Sequence, residues 1–497
     1  MTAPAVLAPD HVEYPVIGGE RARDGAAEFF DSVNPATGHT VARVVQSSGE
    51  AVEAAVAAAA AAQRVWAGWA PDARAQALWR WGELILAAAQ ELADLDTLDI
   101  GRPARDTATD PATCARAARY WAGQADRVVG SQLPVIPGHL SYTVREPLGV
   151  VAVILPWNGP CVSFLNRVAP ALACGNAVVV KPSEWSSLSA GRLAELAVAA
   201  GMPRGVLNVL PGDGRVGAAL CGDPRVAGIS FTGSVPTGRA IARAAAGRVV
   251  TLEMGGKSPN LVFADADLTL GAAAATWGVF ANTGQVCCAS TRLLVQDTIA
   301  DEFVAAILTR VAALRVGDPF DPATQLGPLA CRPQYERVRR VVSAAVDDGA
   351  QVLVGGTRPA GVGDGGFYLA PTVVAEAKPD SALIREEVFG PVLAVERFCD
   401  EEEALALANE GSYGLAANIW TGDGGRMLRL AAGLEVGTVW GNSSRVMDPA
   451  LPFGGFKDSG VGNAYGEGAV EGSTRLKRVS IRFDEAAPVP SWPGSPS

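Results

Sequence analysis

Between residues 149 and 256, five short apolar runs follow one another: "GVVAVILPW" (149–157), "AVVVKPS" (177–183), "GVLNVLPG" (205–212), "VAGISFTGS" (226–234) and "RVVTLEMGG" (248–256). Helical segments of connection length separate them. No other feature constrains the fold as strongly. A strand returns to a parallel sheet only through a crossover of a dozen or more residues, usually a helix. Strand–helix alternation therefore predicts a doubly wound α/β sheet. Each run ends in a polar or Gly-rich tip: PWNGP, KPSE, PGDG, FTGS and EMGG. Open parallel sheets bind ligands at those carboxyl ends.

A second α/β pattern follows. Residues 300–317 and 335–350 have helical spacing, and "QVLVGG" (351–356), "PVLAVERF" (391–398) and "AANIWTG" (416–422) are strand-like. A chain of 497 residues is too long for one core. The division that follows has three parts. Residues 1–128 and 150–255 form a nucleotide-type domain, with 50–128 mostly helical. Residues 256–462 form a second α/β domain. Residues 129–149 and 463–497 form a small β element with a tail. Within that element, 132–149 and 475–483 are strands that could pair between subunits or form a capping hairpin. Residues 1–25 and 485–497, rich in Ala, Pro, Gly and Ser, are expected to be loose tails.

Charge and rare residues exclude several functions. The net charge of −11, with no basic run, opposes binding to nucleic acid or an anionic membrane. No apolar stretch is long enough to cross a bilayer and no leader pattern opens the chain, so a cytoplasmic enzyme with free thiols is expected. The acidic run Asp400–Glu403 is expected to be the first turn of a helix. The three histidines, His11, His39 and His139, all lie in the first third. A Cys-His nucleophile and a His-based metal site are both poorly supplied, and no metal is expected.

Two stretches could meet a dinucleotide. "GDGRVG" (212–217) has the G-x-G-x-x-G spacing, but the following strand ends without the acidic residue that would hold a ribose, so it reads as a plain turn. "FTGSVPTG" (231–238) is the better candidate. Gly233 and Gly238 permit close approach, and Ser234 opens a helix whose N-terminus suits phosphate. Lys181, Ser183 and Glu184 of KPSE occupy a neighbouring tip. A carboxylate there suits free ribose hydroxyls and opposes a 2′-phosphate, favouring NAD over NADP. In "FANTGQVCCASTR" (280–292), Cys287 and Cys288 stand side by side. By pattern alone they are either a buried apolar pair or contain a nucleophile. Glu253 is equally a general base or the ion-pair partner of Lys257.

Seven motifs, PWNGP, KPSE, FTGS, LEMGGKSPN, GQVCCA, EEVFGPV and PFGGFKDSG, resemble in order and spacing those of the aldehyde dehydrogenase superfamily, over residues 30 to 483. The resemblance implies a Rossmann-like NAD-binding domain, an α/β catalytic domain and a bridging, oligomer-forming β element in a homodimer or homotetramer. It implies oxidation of a small-molecule aldehyde to an acid. Cys287 would be the nucleophile, Asn158 an oxyanion donor and Glu253 the base that activates water for thioester hydrolysis. Lys181 and Glu184 would hold the adenosine ribose, Ser234 would meet the pyrophosphate, and Glu387 and Phe389 would hold the nicotinamide ribose and ring. Ser183 and Gly233 would also be cofactor-binding, and Trp157 would be structural or lie along the cofactor. Lys257 would be structural. Val162, Asn166, Val286, Cys288 and Phe453, with Gly159 and Ser163, would line the pocket.

The chain departs from that pattern at Arg167 and Ala464, where many relatives carry a Lys and a Glu. Glu467 could replace the missing carboxylate. Arg445, in a divergent loop (441–455), is expected to be solvent-exposed, the alternative being contact with an anionic substrate. A cysteine esterase working without NAD and a non-catalytic binding protein are the competing readings.

Overall fold

The five runs form adjacent strands. In the computed structural model, which describes residues 7–8, 10–23 and 28–484, Val150–Ile154, Ala177–Lys181, Leu207–Val209, Val226–Thr232 and Val249–Glu253 pair in parallel. Numbered along the chain, their spatial order is 3-2-1-4-5. The order reverses between the first strand and the fourth, and a reversal of this kind opens a crevice at the carboxyl ends. Successive side chains point to opposite faces. Val150, Ala152 and Ile154 pack beneath Val52, Ala55, Val56 and Ala59. Val151 and Val153 pack on the other face against Phe164, Leu165 and Leu172. Both faces are covered, so the runs are apolar throughout rather than alternating. Burying one such valine is worth roughly 1.5–3 kcal/mol as an upper figure.

Helix Gly49–Ala67 shows how the Ala-rich segment is used. Ser48 caps it, its Oγ accepting from the Ala51 N–H at 3.2 Å. Its buried positions, Val52, Ala55, Val56, Ala59, Ala62 and Trp66, recur at helical spacing. Small residues let the helix lie close on the sheet, and the Trp66 indole donates to the Leu172 carbonyl at 2.8 Å.

The second sheet has seven strands, in the order Gln351–Val354, Thr372–Ala375, Val392–Phe398, Arg292–Gln296, Pro259–Val262, Ala416–Trp420 and Thr438–Gly441. All pair in parallel except the first two, which are antiparallel. Four of these strands escape the sequence reading: 259–262, 292–296, 372–375 and 438–441. Arg292 shows why. A charge at a strand start breaks the apolar pattern, yet Arg292 is 2% exposed because Glu396 on the neighbouring strand accepts from its Nε and from a terminal nitrogen at 2.7 and 2.9 Å. That partner lies about a hundred residues away.

The expected helices are Ala300–Ala312 and Arg332–Asp347. The acidic run does start a helix, Glu401–Asn409, with Asp400 capping it through the Glu403 N–H. GDGRVG is a helix start as well: Asp213 accepts from the Arg215 N–H at 2.9 Å. His139–Pro147 and Thr474–Arg482 pair with each other, antiparallel, along their whole length.

One expectation fails. The N-terminal stretch is not a loose tail throughout. Val16–Ile17 and Glu20–Arg21 form a hairpin at the edge of the first sheet. Gly18 and Gly19, both at positive φ (61° and 79°), make its two-residue turn, which only glycine-like residues adopt easily. Val16 is fully buried, and Arg21 donates to the buried Glu13 carboxylate at 2.8 Å. Residues 485–497, with 1–6, 9 and 24–27, lie outside the described residues. All eight cysteines are free. Among the described residues no helix is long and apolar enough to cross a membrane.

Candidate active site

A cavity of about 450 Å³ opens where the strand order reverses. Asn158 reaches it from the tip after Val150–Ile154. Thr232 and Glu253 reach it as the last residues of their strands. Cys287 and Cys288 reach it from the loop before Arg292–Gln296. Val162, Asn166, Val286 and Phe453, with Gly159 and Ser163, line it too.

A left-handed turn presents the cysteines. Asn282, Thr283 and Gly284 have φ of 54°, 54° and 71°. Each non-glycine residue in this region costs of order 1–3 kcal/mol, so the surroundings must impose it. They do so through hydrogen bonds. Asn282 Nδ2 donates to the carbonyls of Asn158 (2.8 Å) and Gln285 (3.2 Å). Gln285 Oε1 accepts from the Ala330 N–H at 2.9 Å, and Thr283 Oγ1 donates to the Gly327 carbonyl at 3.1 Å. A Cβ on Gly284 would lie 2.0 Å from the Gly390 carbonyl oxygen, so only glycine fits. The same turn orients Asn158, whose Nδ2 donates to the Gln285 carbonyl at 2.9 Å. An amide nitrogen has two N–H donors, and the second is left for a ligand.

Glu253 is 3% exposed, and neither carboxylate oxygen has a hydrogen-bond partner among the described residues. Burial pushes its pKa up to about 8; the Arg167 charge opposes this and Cys288 adds to it. The Glu253–Lys257 ion pair does not form: the Lys257 ammonium is buried without a hydrogen-bond partner, and burial brings its pKa down to about 7. Cys288 packs among Leu415, Ala416, Trp440 and Phe453, whereas Cys287 stays partly exposed to the cavity. The two thiols are hydrogen-bonded. Donation from one stabilises a thiolate on the other, and the Arg445 charge favours that thiolate on Cys288. The first proton of the pair is therefore lost more easily than from an isolated thiol, and the second is held far above the usual range.

The remaining predicted residues occupy neighbouring tips. Lys181 Nζ lies 3.2 Å from Glu184 Oε2, and burial lowers the lysine pKa. Ser183 is buried, its Oγ accepting from the Trp185 N–H at 3.3 Å. Gly233 donates its N–H to the Glu253 carbonyl at 3.0 Å. Exposed Ser234 precedes helix Val235–Ala244 and bonds Thr237 Oγ1 at 3.0 Å, leaving the helix's first amides uncapped by its side chain. Trp157 and Phe389 meet edge to face, 5.1 Å apart. Glu387 accepts from the Gly256 N–H at 3.3 Å, and enclosure raises its pKa to about 7.

The comparisons with known proteins agree on one family. Residues 22–479 match the family model described as "Aldehyde dehydrogenase family". A betaine aldehyde dehydrogenase of Cereibacter sphaeroides is 44% identical over 477 residues, covering 93% of this chain and 98% of its own. The chain belongs to the aldehyde dehydrogenase family. A putative aldehyde dehydrogenase from Burkholderia cenocepacia superposes with a TM-score of 0.93 at 38% identity, covering 96% of this chain and 99% of its own. The NAD⁺ complex of an aldehyde dehydrogenase from Bacillus cereus gives 0.93 at 36% identity, covering 95% and 97%.

In this aldehyde dehydrogenase the two departures at the site resolve differently. Arg167 lines the cavity and donates to Thr232 Oγ1 at 2.7 Å. Ala464 is buried outside the lining and donates its N–H to the Phe453 carbonyl at 2.8 Å. Glu467 is exposed and is not among the residues that line the cavity, so it does not take the place of the missing carboxylate there. Tyr465, next to Ala464, does line the cavity, its hydroxyl accepting from Asn166 Nδ2 at 2.9 Å. Arg445 corrects another expectation. It is half-buried rather than solvent-exposed, stacks 4.5 Å above the Trp277 ring and faces the cavity. Sequence reasoning also missed Arg102, Asp110, Arg116 and Asp448, which line the cavity as two ion pairs. They come from the helical segment near residue 110 and from the 441–455 loop, and nothing local marks them as site residues.

Proposed function

We propose that this aldehyde dehydrogenase oxidises its substrate to a free carboxylic acid, with Cys287 as nucleophile, Asn158 as oxyanion donor and Glu253 as the base for hydrolysis. One observation carries the reading: a buried carboxylate without a hydrogen-bond partner shares a cavity with a partly exposed cysteine and an uncommitted amide N–H. A buried polar group without a partner costs stability, and a site that must move a proton accounts for that cost.

The Cys287 thiolate adds to the aldehyde carbon, forming a C–S bond and an oxyanion. The Asn158 side-chain N–H and the Cys287 backbone N–H receive that charge; such donors are worth about 2.7–4 kcal/mol each when preorganised. NAD supplies, when bound, the hydride acceptor that takes the adduct to a thioester. Glu253 then accepts a proton from water, which adds to the thioester carbon. The same donors hold the second oxyanion until the C–S bond breaks and the thiolate is restored.

The residues present fit NAD. Lys181, Ser183 and Glu184 would hold the adenosine ribose. Gly233 and Ser234 would meet the pyrophosphate at a helix start whose first amides the Ser234 side chain does not cap. Glu387 would hold the nicotinamide ribose, and Trp157 and Phe389 would flank the ring. NADP is disfavoured by Glu184, whose charge would face a 2′-phosphate. The strand Thr474–Arg482 exposes Leu476 and Ile481 beside His139–Pro147, which supports a homodimer or homotetramer built through this ribbon. Eight free cysteines fit a cytoplasmic location.

The test is NADH formation with purified protein and a panel of aldehydes. Cys287→Ala should lose at least about a thousandfold in rate. Cys288→Ala should retain turnover and alter aldehyde preference. Equal losses in the two variants would contradict the assignment, and ester hydrolysis without NADH formation would point to an esterase.

A further inference from the structure

The cavity's charges do not cancel. Four arginines line it: Arg102, Arg116, Arg167 and Arg445. Arg102 is paired with Asp110 at 2.5 Å, and Arg116 with Asp448. Arg167 is committed to Thr232 and faces Glu253. Arg445 forms no ion pair among the described residues, although Asp106, shared with Arg102 and Arg105, lies within reach of its charge, and one of its terminal guanidinium nitrogens is buried without a hydrogen bond. Its backbone is held at a φ of 54°, a conformation a long side chain rarely adopts. In that conformation the guanidinium lies over Trp277. Stacking on an aromatic face uses the plane of a guanidinium and leaves its edge of N–H donors available. Val162, Val286, Met447 and Phe453 supply apolar wall in the same cavity.

We propose that Arg445 is a specificity residue that binds a carboxylate at the far end of the substrate, so that the preferred aldehydes are oxo acids: an aldehyde at one end, an anion at the other, and an apolar spacer between. This rests on the reading of Cys287 as nucleophile in the same cavity. A planar oxyanion can take N–H bonds from the part of the guanidinium edge that faces the cavity. The same cavity disfavours a quaternary-ammonium aldehyde. Betaine aldehyde, named in the relatives, carries that positive charge, so the relatives' substrate does not transfer to this chain.

The experiment compares aldehydes of equal length ending in a carboxylate, its methyl ester or a trimethylammonium group, by NADH formation with the full chain. The carboxylate should exceed the ester at least tenfold in kcat/KM, and the cation should be the poorest. In Arg445→Gln the carboxylate-to-ester ratio should fall to near one, and Arg445→Lys should restore part of it. A second readout needs no turnover. A simple dicarboxylate of the same length should slow alkylation of Cys287 by iodoacetamide, followed by mass spectrometry, and should lose this protection in Arg445→Gln. A wild-type ratio near one, or a ratio and protection unchanged in Arg445→Gln, overturns the proposal while leaving the aldehyde-oxidation mechanism standing. Absence of NADH with every aldehyde, with Cys287 no more reactive than the other thiols, overturns the mechanism and the proposal with it.

Discussion

The two parallel sheets build the site in opposite ways. The first contributes Asn158, Thr232 and Glu253 from the carboxyl ends of its strands, on backbone within the ordinary allowed regions. The second contributes through loops: Cys287 before one strand, Glu387 and Phe389 before another, Arg445 after a third. Among the described residues, every non-glycine residue at positive φ lies beyond residue 280: Asn282, Thr283, Glu376, Phe389, Asn442, Arg445 and Lys457. Asn282 and Arg445 line the cavity, Thr283 belongs to the turn before Cys287, and Phe389 meets Trp157 edge to face. Strand ends place groups by the sheet's own hydrogen bonds. Loops must be forced into place, and the molecule concentrates its backbone strain where the nucleophile is presented.

Four substitutions probe that contrast, from the largest effect down. Asn158→Ala removes a donor that the loop after strand Val150–Ile154 carries and the turn before Cys287 orients. It should lower kcat by about 10²–10³ with little change in thermal midpoint, and a kcat within twofold of wild type would remove Asn158 as an oxyanion donor. Glu253→Gln should cut steady-state turnover by about a hundredfold and leave a rapid first burst of NADH. The pH dependence has a definite sign. Glu253 must be ionised to act as a base and its pKa is raised to about 8, so wild-type kcat should climb with pH through that value. The glutamine variant should lose the climb, and an identical profile in both would exclude Glu253.

Gly284→Ala attacks the strained side. The new Cβ would meet the Gly390 carbonyl, so the turn must shift at a cost of about 2 kcal/mol. Activity should fall with stability, because Asn158 and Cys287 hang on the same turn. Ser48→Ala is the control on the relaxed side. Losing this cap should cost about 1 kcal/mol and lower the thermal midpoint without affecting activity, since helix Gly49–Ala67 is remote from the cavity. If both substitutions reduce stability and activity in the same proportion, the contrast between the two halves fails.

Legibility followed the same division. The first sheet could be read because its strands are continuous apolar runs ending in marked tips. The second was half-read, because Arg292 and the proline that opens Pro259–Val262 interrupt its runs, and the Arg292 charge is reconciled only by its distant partner Glu396. The N-terminal hairpin was missed because Gly18 and Gly19 look like loose composition until Val16 is seen buried against the sheet.

The strands of the first sheet, their tips and the residue types at those tips are local properties, and the sequence alone determined them, together with the family resemblance. Which charges find partners is not local. The tertiary structure alone decided that Glu253 ignores Lys257, that Tyr465 lines the cavity and Glu467 does not, and that Arg102 and Arg116 are ion-paired while Arg445 is not. Hydrogen bonds and contact ion pairs form only within a few ångströms, and only folding sets those distances.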